Sequence, residues 1–269
     1  MSRDPVRYGA LAVLGLLVAS AAWVSDDAFI TLRTLDNFLE GYGLRYNPAE
    51  RVQAFTHPLW LAWLTVPYAL TREPWLTTML VGFATTLSAS AVVALCGRSR
   101  ESAVLAVLGL AVSKSFVDYG TSGLEGPLLW LLLAGFGIEL FREEGPRLVV
   151  LVTLSALVGL TRLDALLFVG PGLGLGAWTL ARERDFGEIV WTQLAWLPLV
   201  GWHLFSLVYY GSLVPNTAWA KLGAGIASSE LVAQAPNYYT WLLTYDPVTL
   251  PLIGFGALLP LAHRDVRGV

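Results

Sequence analysis

The chain has 269 residues, 55% hydrophobic and 14% charged, with a mean hydropathy of +0.60. Soluble domains carry about 25% charged residues, so this composition excludes an ordinary soluble domain and predicts a membrane protein of many spans. A single cysteine, Cys96, excludes a disulfide framework and any multi-cysteine metal centre, and His57, His203 and His263 form no ligand pair at helical spacing. The formal net charge of −3, without a basic tract, argues against nucleic acid as a partner.

A bilayer core about 30 Å thick needs about 20 apolar residues in a helix. The runs 8–24, 75–96, 102–117, 127–141, 148–161, 164–181, 189–209 and 243–262 predict eight crossings, an all-α transmembrane bundle in a single domain over 1–269. The first run, with Arg3 and Arg7 ahead of it and Ala19, Ser20 and Ala21 near its end, also has the form of a signal peptide, but it is longer than most such segments.

After Asp26 and Asp27, the residues Ala28, Leu32, Leu35 and Leu39 recur at helical spacing, with Thr31, Thr34, Asn37 and Glu40 on other faces. They predict an amphipathic juxtamembrane helix ended by Gly41 and Gly43. The stretch 58–70 is too short to cross and predicts a helix that dips into the outer leaflet. Arg3, Arg7, Arg98, Arg100, Arg142, Arg147, Arg182, Arg184, Arg264 and Arg267 then fall on the cytoplasmic side, ten of the 17 lysines and arginines, as the positive-inside bias requires. Both termini are expected inside, and 25–74, 118–126, a corner near 162 and 210–242 are expected outside.

The outward segments hold the chemistry-bearing side chains. Ser25 can cap the amphipathic helix while Asp26 and Asp27 meet its positive end. Equally, adjacent carboxylates can serve as general base and as holder of an arginine or metal, with Arg33 on a similar face. The polar stretch 43–60 carries Arg45, Asn47, Glu50, Arg51, Gln53, Thr56 and His57 among Tyr46, Phe55 and Trp60, a mixture that suits a sugar. Glu125 precedes Gly126 and Pro127 at a helix start. Arg162 and Asp164 interrupt two apolar helices, where the arginine pairs with the aspartate or meets a phosphate. Lys221, beyond Asn216, is a solvated charge or a phosphate holder. Gly170, Gly172, Gly174 and Gly176 lack the context of a nucleotide loop, and Gly172 and Gly176 predict close helix packing instead.

The motifs DDAFITLR (26–33), GLRYNPAERVQAFTHPLW (43–60), SGLEGPL (122–128), TRLD (161–164) and LVPNTAWAK (213–221) occur in this order over most of the chain. Together they resemble the GT-C class of membrane glycosyltransferases, nearest the branch of the mycobacterial terminal arabinofuranosyltransferases. The resemblance implies transfer of a sugar, arabinofuranose in that branch, from a polyprenyl-phosphate donor to a glycan or lipid acceptor outside the inner membrane, with membrane lipid around the enzyme. It places the catalytic aspartate pair at Asp26 and Asp27. Two positions depart from the class: His57 stands where an asparagine is expected, and Gly126 where a threonine is expected. Relatives usually continue into further spans and often a soluble outer domain, so the chain reads as a minimal or truncated form.

The expectation is an enzyme, a glycosyltransferase, with Asp27, Asp26 and Glu125 as catalytic candidates. Arg33, Asn47, Arg51, Thr56, His57, Arg162, Asp164, Asn216 and Lys221 are expected to bind substrate, around one water-filled cavity. No metal site is identified, although Asp26, Asp27 and Glu125 could offer oxygen ligands to magnesium or manganese. A transporter or flippase of lipid-linked saccharides and a noncatalytic binder are the alternatives.

Overall fold

The computed structural model describes residues 4–97, 99–183, 186–222 and 225–262. Among them every regular element is helical. In chain order these are α1 (Pro5–Ser20), α2 (Ala28–Leu39), α3 (Pro58–Thr71), α4 (Pro74–Cys96), α5 (Arg100–Val112), α6 (Lys114–Tyr119), α7 (Gly126–Leu140) and α8 (Leu148–Thr161). A single 3-10 turn, Leu163–Ala165, leads into α9 (Leu166–Glu183), followed by α10 (Phe186–Leu194), α11 (Leu197–Tyr210), α12 (Asn216–Leu222), α13 (Ser228–Tyr245) and α14 (Thr249–Ala262).

Local chemistry sets the starts. Asp4 accepts from the Val6 amide ahead of Pro5, and Glu73 accepts from the Trp75 and Leu76 amides ahead of Pro74; each satisfies amides that a first helical turn leaves unbonded. Arg72, in the left-handed region at φ 52°, ends α3. The main core packs Leu32 and Leu35 of α2 against Trp60, Leu61 and Leu64 of α3 and Leu128 and Leu132 of α7. A second cluster joins Leu14 and Val18 of α1 to Ala94, Val107 and Phe116. The glycines of α9 divide as expected. A Cβ on Gly172 would stand 2.8 Å from Phe136, and one on Gly176 would stand 3.0 Å from Leu151, whereas Gly170 and Gly174 face open space.

Helix lengths correct the membrane picture. Among the described residues α4, with 23 residues, is the one helix long and apolar enough to cross a membrane, and 33% of its apolar window is buried within the fold. The helices α1, α7 and α8 and the stretch Leu163–Trp178 are apolar but shorter. The expected bundle of eight spans is therefore corrected to an all-α helical bundle with one candidate span. The multi-pass inner-membrane location, the outer-face active site, the juxtamembrane and dipping roles of α2 and α3, and the GT-C reading as a polytopic enzyme fed by a polyprenyl-phosphate donor fall with it, as does a multi-pass transporter. The physical reason is that an apolar run measures composition, whereas a span also needs an unbroken backbone hydrogen-bond ladder. Ser113 splits the run 102–117 by capping α6, Ala195 and Trp196 split 189–209, and Asp246 splits 243–262 by accepting from the Val248 and Thr249 amides. Of the residues used in the charge count, Arg3, Arg98, Arg184, Arg264 and Arg267 lie outside the described residues, as does His263.

Candidate active site

Three segments far apart in sequence are clamped together by hydrogen bonds that each use a backbone group. The Trp23 amide donates to Thr121 Oγ1 at 3.1 Å, the Ser25 amide donates to the Ser122 carbonyl at 2.8 Å, and Trp60 Nε1 donates to the Gly123 carbonyl at 2.8 Å. This brings the start of α2, the start of α3 and the loop before α7 to one place. Gly123 adopts φ +80°, and a Cβ there would lie 2.7 Å from both Ala28 Cβ and Thr78 Cγ2. Gly123→Ala is therefore expected to destabilise the fold by about 1–3 kcal/mol, through strain and overpacking, in a denaturant titration.

Around this junction lies a cavity of about 690 Å3 lined by Asp27, Thr31, Thr56, His57, Glu125, Arg162 and Asp164, with Gln53, Trp202, His203 and Thr217 completing its polar and aromatic wall. One chain of close polar contacts crosses it. Thr31 Oγ1 lies 2.7 Å from His57 Nε2, His57 Nδ1 lies 3.2 Å from Glu125 Oε2, and Arg162 donates to Glu125 Oε1 at 3.0 Å. Arg162 also grips Asp164 with two N–H groups, at 3.1 and 2.8 Å. His57 and Glu125 are buried. His57 Nδ1 also lies 3.2 Å from Thr56 Oγ1, and a neutral imidazole that donates from Nδ1 to the Thr56 hydroxyl and accepts from the Thr31 hydroxyl at Nε2 satisfies both hydrogen bonds.

Burial pushes the His57 imidazole below its ordinary value; Glu125 opposes that shift and the nearby Arg162 adds to it. The hydrogen bonds to Asp164 raise Arg162, and the same bonds lower Asp164. Because the folded His57 binds a proton less readily than the unfolded one, its neutral burial contributes stability that is full above pH 6.5 and declines as the pH falls from there through the lowered folded value. Thermal unfolding from pH 7 to 5 should show this loss, and His57→Gln should flatten that part of the profile.

The carboxylate candidates separate sharply. Asp27 stands at the first position before α2, exposed, and makes no side-chain capping bond. Its carboxylate has no partner among the described residues, so it faces the cavity uncommitted. Asp26 does not line the cavity; its Oδ1 accepts from Ser25 Oγ and from the Asp27 amide, so it is engaged just ahead of α2, whose start carries no side-chain cap. Both Glu125 oxygens are engaged. Arg33, Asn47, Arg51 and Asn216 also lie outside the lining, although the Asn216 amide donates to the carbonyl of Gln53, which is in it. Lys221 sits in α12, and its side chain lies outside the described residues.

Trp202 and His203 were missed because they fall inside a long apolar run read as a span. An ionisable residue within such a run is itself a signal, and His203 carries it. Its Nδ1 lies 2.8 Å from the Leu199 carbonyl, which can only accept, so the proton sits there and a neutral ring leaves Nε2 open.

The chain resembles known transferases. It is 30% identical over 267 residues, 90% of this chain and 42% of the relative, to the terminal beta-(1->2)-arabinofuranosyltransferase of Mycobacterium tuberculosis. It is 29% identical over 232 residues, 74% of this chain and 33% of the relative, to the enzyme of the same name from Corynebacterium glutamicum. The chain spans less than half the length of these curated relatives. No family model and no solved structure matches it. The similarity supports a transferase-like function in general.

Among the described residues no three His, Cys, Asp or Glu side chains are grouped to hold an ion. Glu125 and Asp164 already face Arg162.

Proposed function

We propose that this chain carries the active-site part of a glycosyltransferase, moving a sugar from a donor with a phosphate leaving group onto an acceptor hydroxyl. The observation that carries the reading is one uncommitted carboxylate, Asp27, facing a cavity whose other charged groups are locked into a fixed network. Asp27 takes the proton of the acceptor hydroxyl as its oxygen bonds to the anomeric carbon. The bond from that carbon to the phosphate oxygen breaks, and its electron pair leaves with the phosphate. Arg162 has five N–H groups, of which three are engaged with Asp164 and Glu125; the remainder can meet the leaving oxygen. Three carboxylates against one guanidinium give the cavity an excess of negative charge, which favours the positive charge that develops at the anomeric carbon.

Glu125 acts in this reading as a positioning residue. It fixes Arg162 on one side and His57 on the other. The relatives' names make an arabinofuranosyl group the first sugar to try. The test is incubation of the purified chain with a synthetic arabinofuranosyl phosphodiester and an arabinofuranoside acceptor, with mass spectrometry of the product. A new disaccharide linkage is expected, and binding of both substrates without any product would overturn the reading.

A further inference from the structure

Arginine pairing is uneven over the molecule. Among the arginines whose side chains are described, Arg7, Arg72, Arg100, Arg142, Arg147 and Arg162 each have a carboxylate within ion-pairing distance. Arg33, Arg45 and Arg51 have none, and these three lie together.

The arrangement that holds them is specific. Arg45 and Arg51 both lie over the ring of Tyr209, at 5.9 and 5.5 Å from its centroid, and Arg33 lies over Tyr46 at 5.3 Å. Arg33 Nε donates to the Tyr46 carbonyl, Arg45 Nη1 donates to the Pro48 carbonyl, and Asn37 ties the Arg45 and Tyr46 carbonyls to α2. The aromatic faces and carbonyls orient the guanidinium groups without neutralising them. Glu50, the carboxylate of the same loop, is exposed and pairs with none of them.

This patch joins the cavity directly. Two residues beyond Arg51, Gln53 is buried in the cavity wall, with its Oε1 accepting from Ser206 of α11. On α11, Tyr209 stacks on Phe205, and Phe205 packs on Trp202, which lines the cavity. Tyr209 lies seven positions beyond Trp202 on the helix, a rise of about 10 Å. A ligand anchored on the arginines can therefore reach the cavity only if it is longer than a single small anion.

We infer that Arg45 and Arg51, backed by Tyr209 and flanked by Arg33, form an oxyanion site for a phosphate- or carboxylate-bearing saccharide that extends into the cavity. The glycosyl-transfer reading is needed only to call that saccharide a substrate; binding itself stands apart from it. In a chain of net charge −3, a concentrated set of unneutralised guanidinium groups also draws anions toward the cavity mouth.

The experiment is equilibrium binding by calorimetry to the full chain, with inorganic phosphate, arabinose 5-phosphate and tetragalacturonate as separate probes. At least one of the two saccharide anions is expected to bind more tightly than inorganic phosphate and to weaken as salt rises. Arabinose 5-phosphate as the better ligand marks a sugar phosphate as the source of the oxyanion, and tetragalacturonate as the better ligand marks an acidic glycan. Arg51→Gln is expected to weaken binding about tenfold or more, and Arg51→Lys less, since bidentate geometry is lost but charge is kept. Arg51 is exposed and makes no hydrogen bond among the described residues, so its variants should unfold near the wild-type temperature, and Arg45→Gln provides an independent second variant. No saccharide binding by the wild type, equal binding of inorganic phosphate, or unchanged binding in both Arg51→Gln and Arg45→Gln would overturn the site. Binding without glycosyl transfer would overturn the proposed function and leave this site standing, whereas transfer without such binding would do the reverse.

Discussion

Asp27→Asn should lower the rate of glycosyl transfer by about a hundredfold or more while leaving the fold intact. The magnitude follows from what a positioned general base contributes to proton removal in a transition state. The intact fold follows from geometry: the Asp27 carboxylate makes no capping bond, so the amide loses no structural contact. Its neighbour supplies the contrast. Asp26 bonds with Ser25 and the Asp27 amide just ahead of α2 and lies outside the cavity, so Asp26→Asn should change the rate less than about fivefold, with only the modest stability cost of a weakened local hydrogen bond. Steady-state rates and melting temperatures for both variants separate the two roles. Equal losses of rate, or a small loss in Asp27→Asn, would remove Asp27 as the base.

Arg162→Gln should cost both turnover and stability. Its guanidinium bridges Glu125 and Asp164, and without it the buried Glu125 keeps only the His57 contact. A half-exposed arginine is partly screened by solvent, so the expected loss is about 1–3 kcal/mol rather than that of a fully buried pair. Turnover should fall by a hundredfold or more, because the leaving group loses its cation. One further readout is specific to the network. Arg162 is among the groups that hold the His57 imidazole down, so its removal should raise the pH at which His57 titrates, followed through the imidazole proton resonances. Arg162→Lys should restore part of that charge effect but little of the two-pronged grip on Asp164. A His57 titration that does not move would break the link between the arginine and the histidine.

Much of the helical layout is legible in the residues. The spacing of Ala28, Leu32, Leu35 and Leu39 marks α2, and the run from 58 marks α3 because Pro58 suits a first helical turn. The expected run 148–161 coincides with α8, and 75–96 nearly so with α4. The close packing at Gly172 and Gly176 is also legible, since small residues four apart on an apolar helix let a neighbour approach. Span number is not. Mean hydropathy cannot register a single serine or aspartate whose side chain binds a backbone amide, yet such bonds at Ser113 and Asp246 start a new helix, α6 and α14, inside each apolar run.

The sequence by itself determined which residues are available for chemistry: an acidic pair before α2, a glutamate before α7, an arginine with an aspartate after α8, and a polar loop rich in arginine and tyrosine. Tertiary structure decided what each does. The clamp between 23–25 and 121–123, closed by Trp60, sets Asp27, His57, Glu125 and Arg162 around one cavity and leaves Asp26 outside it. Which carboxylate stays free and which arginines stay unpaired depends on distances between segments tens of residues apart. Those distances are fixed by packing and long-range hydrogen bonds, which local spacing does not encode.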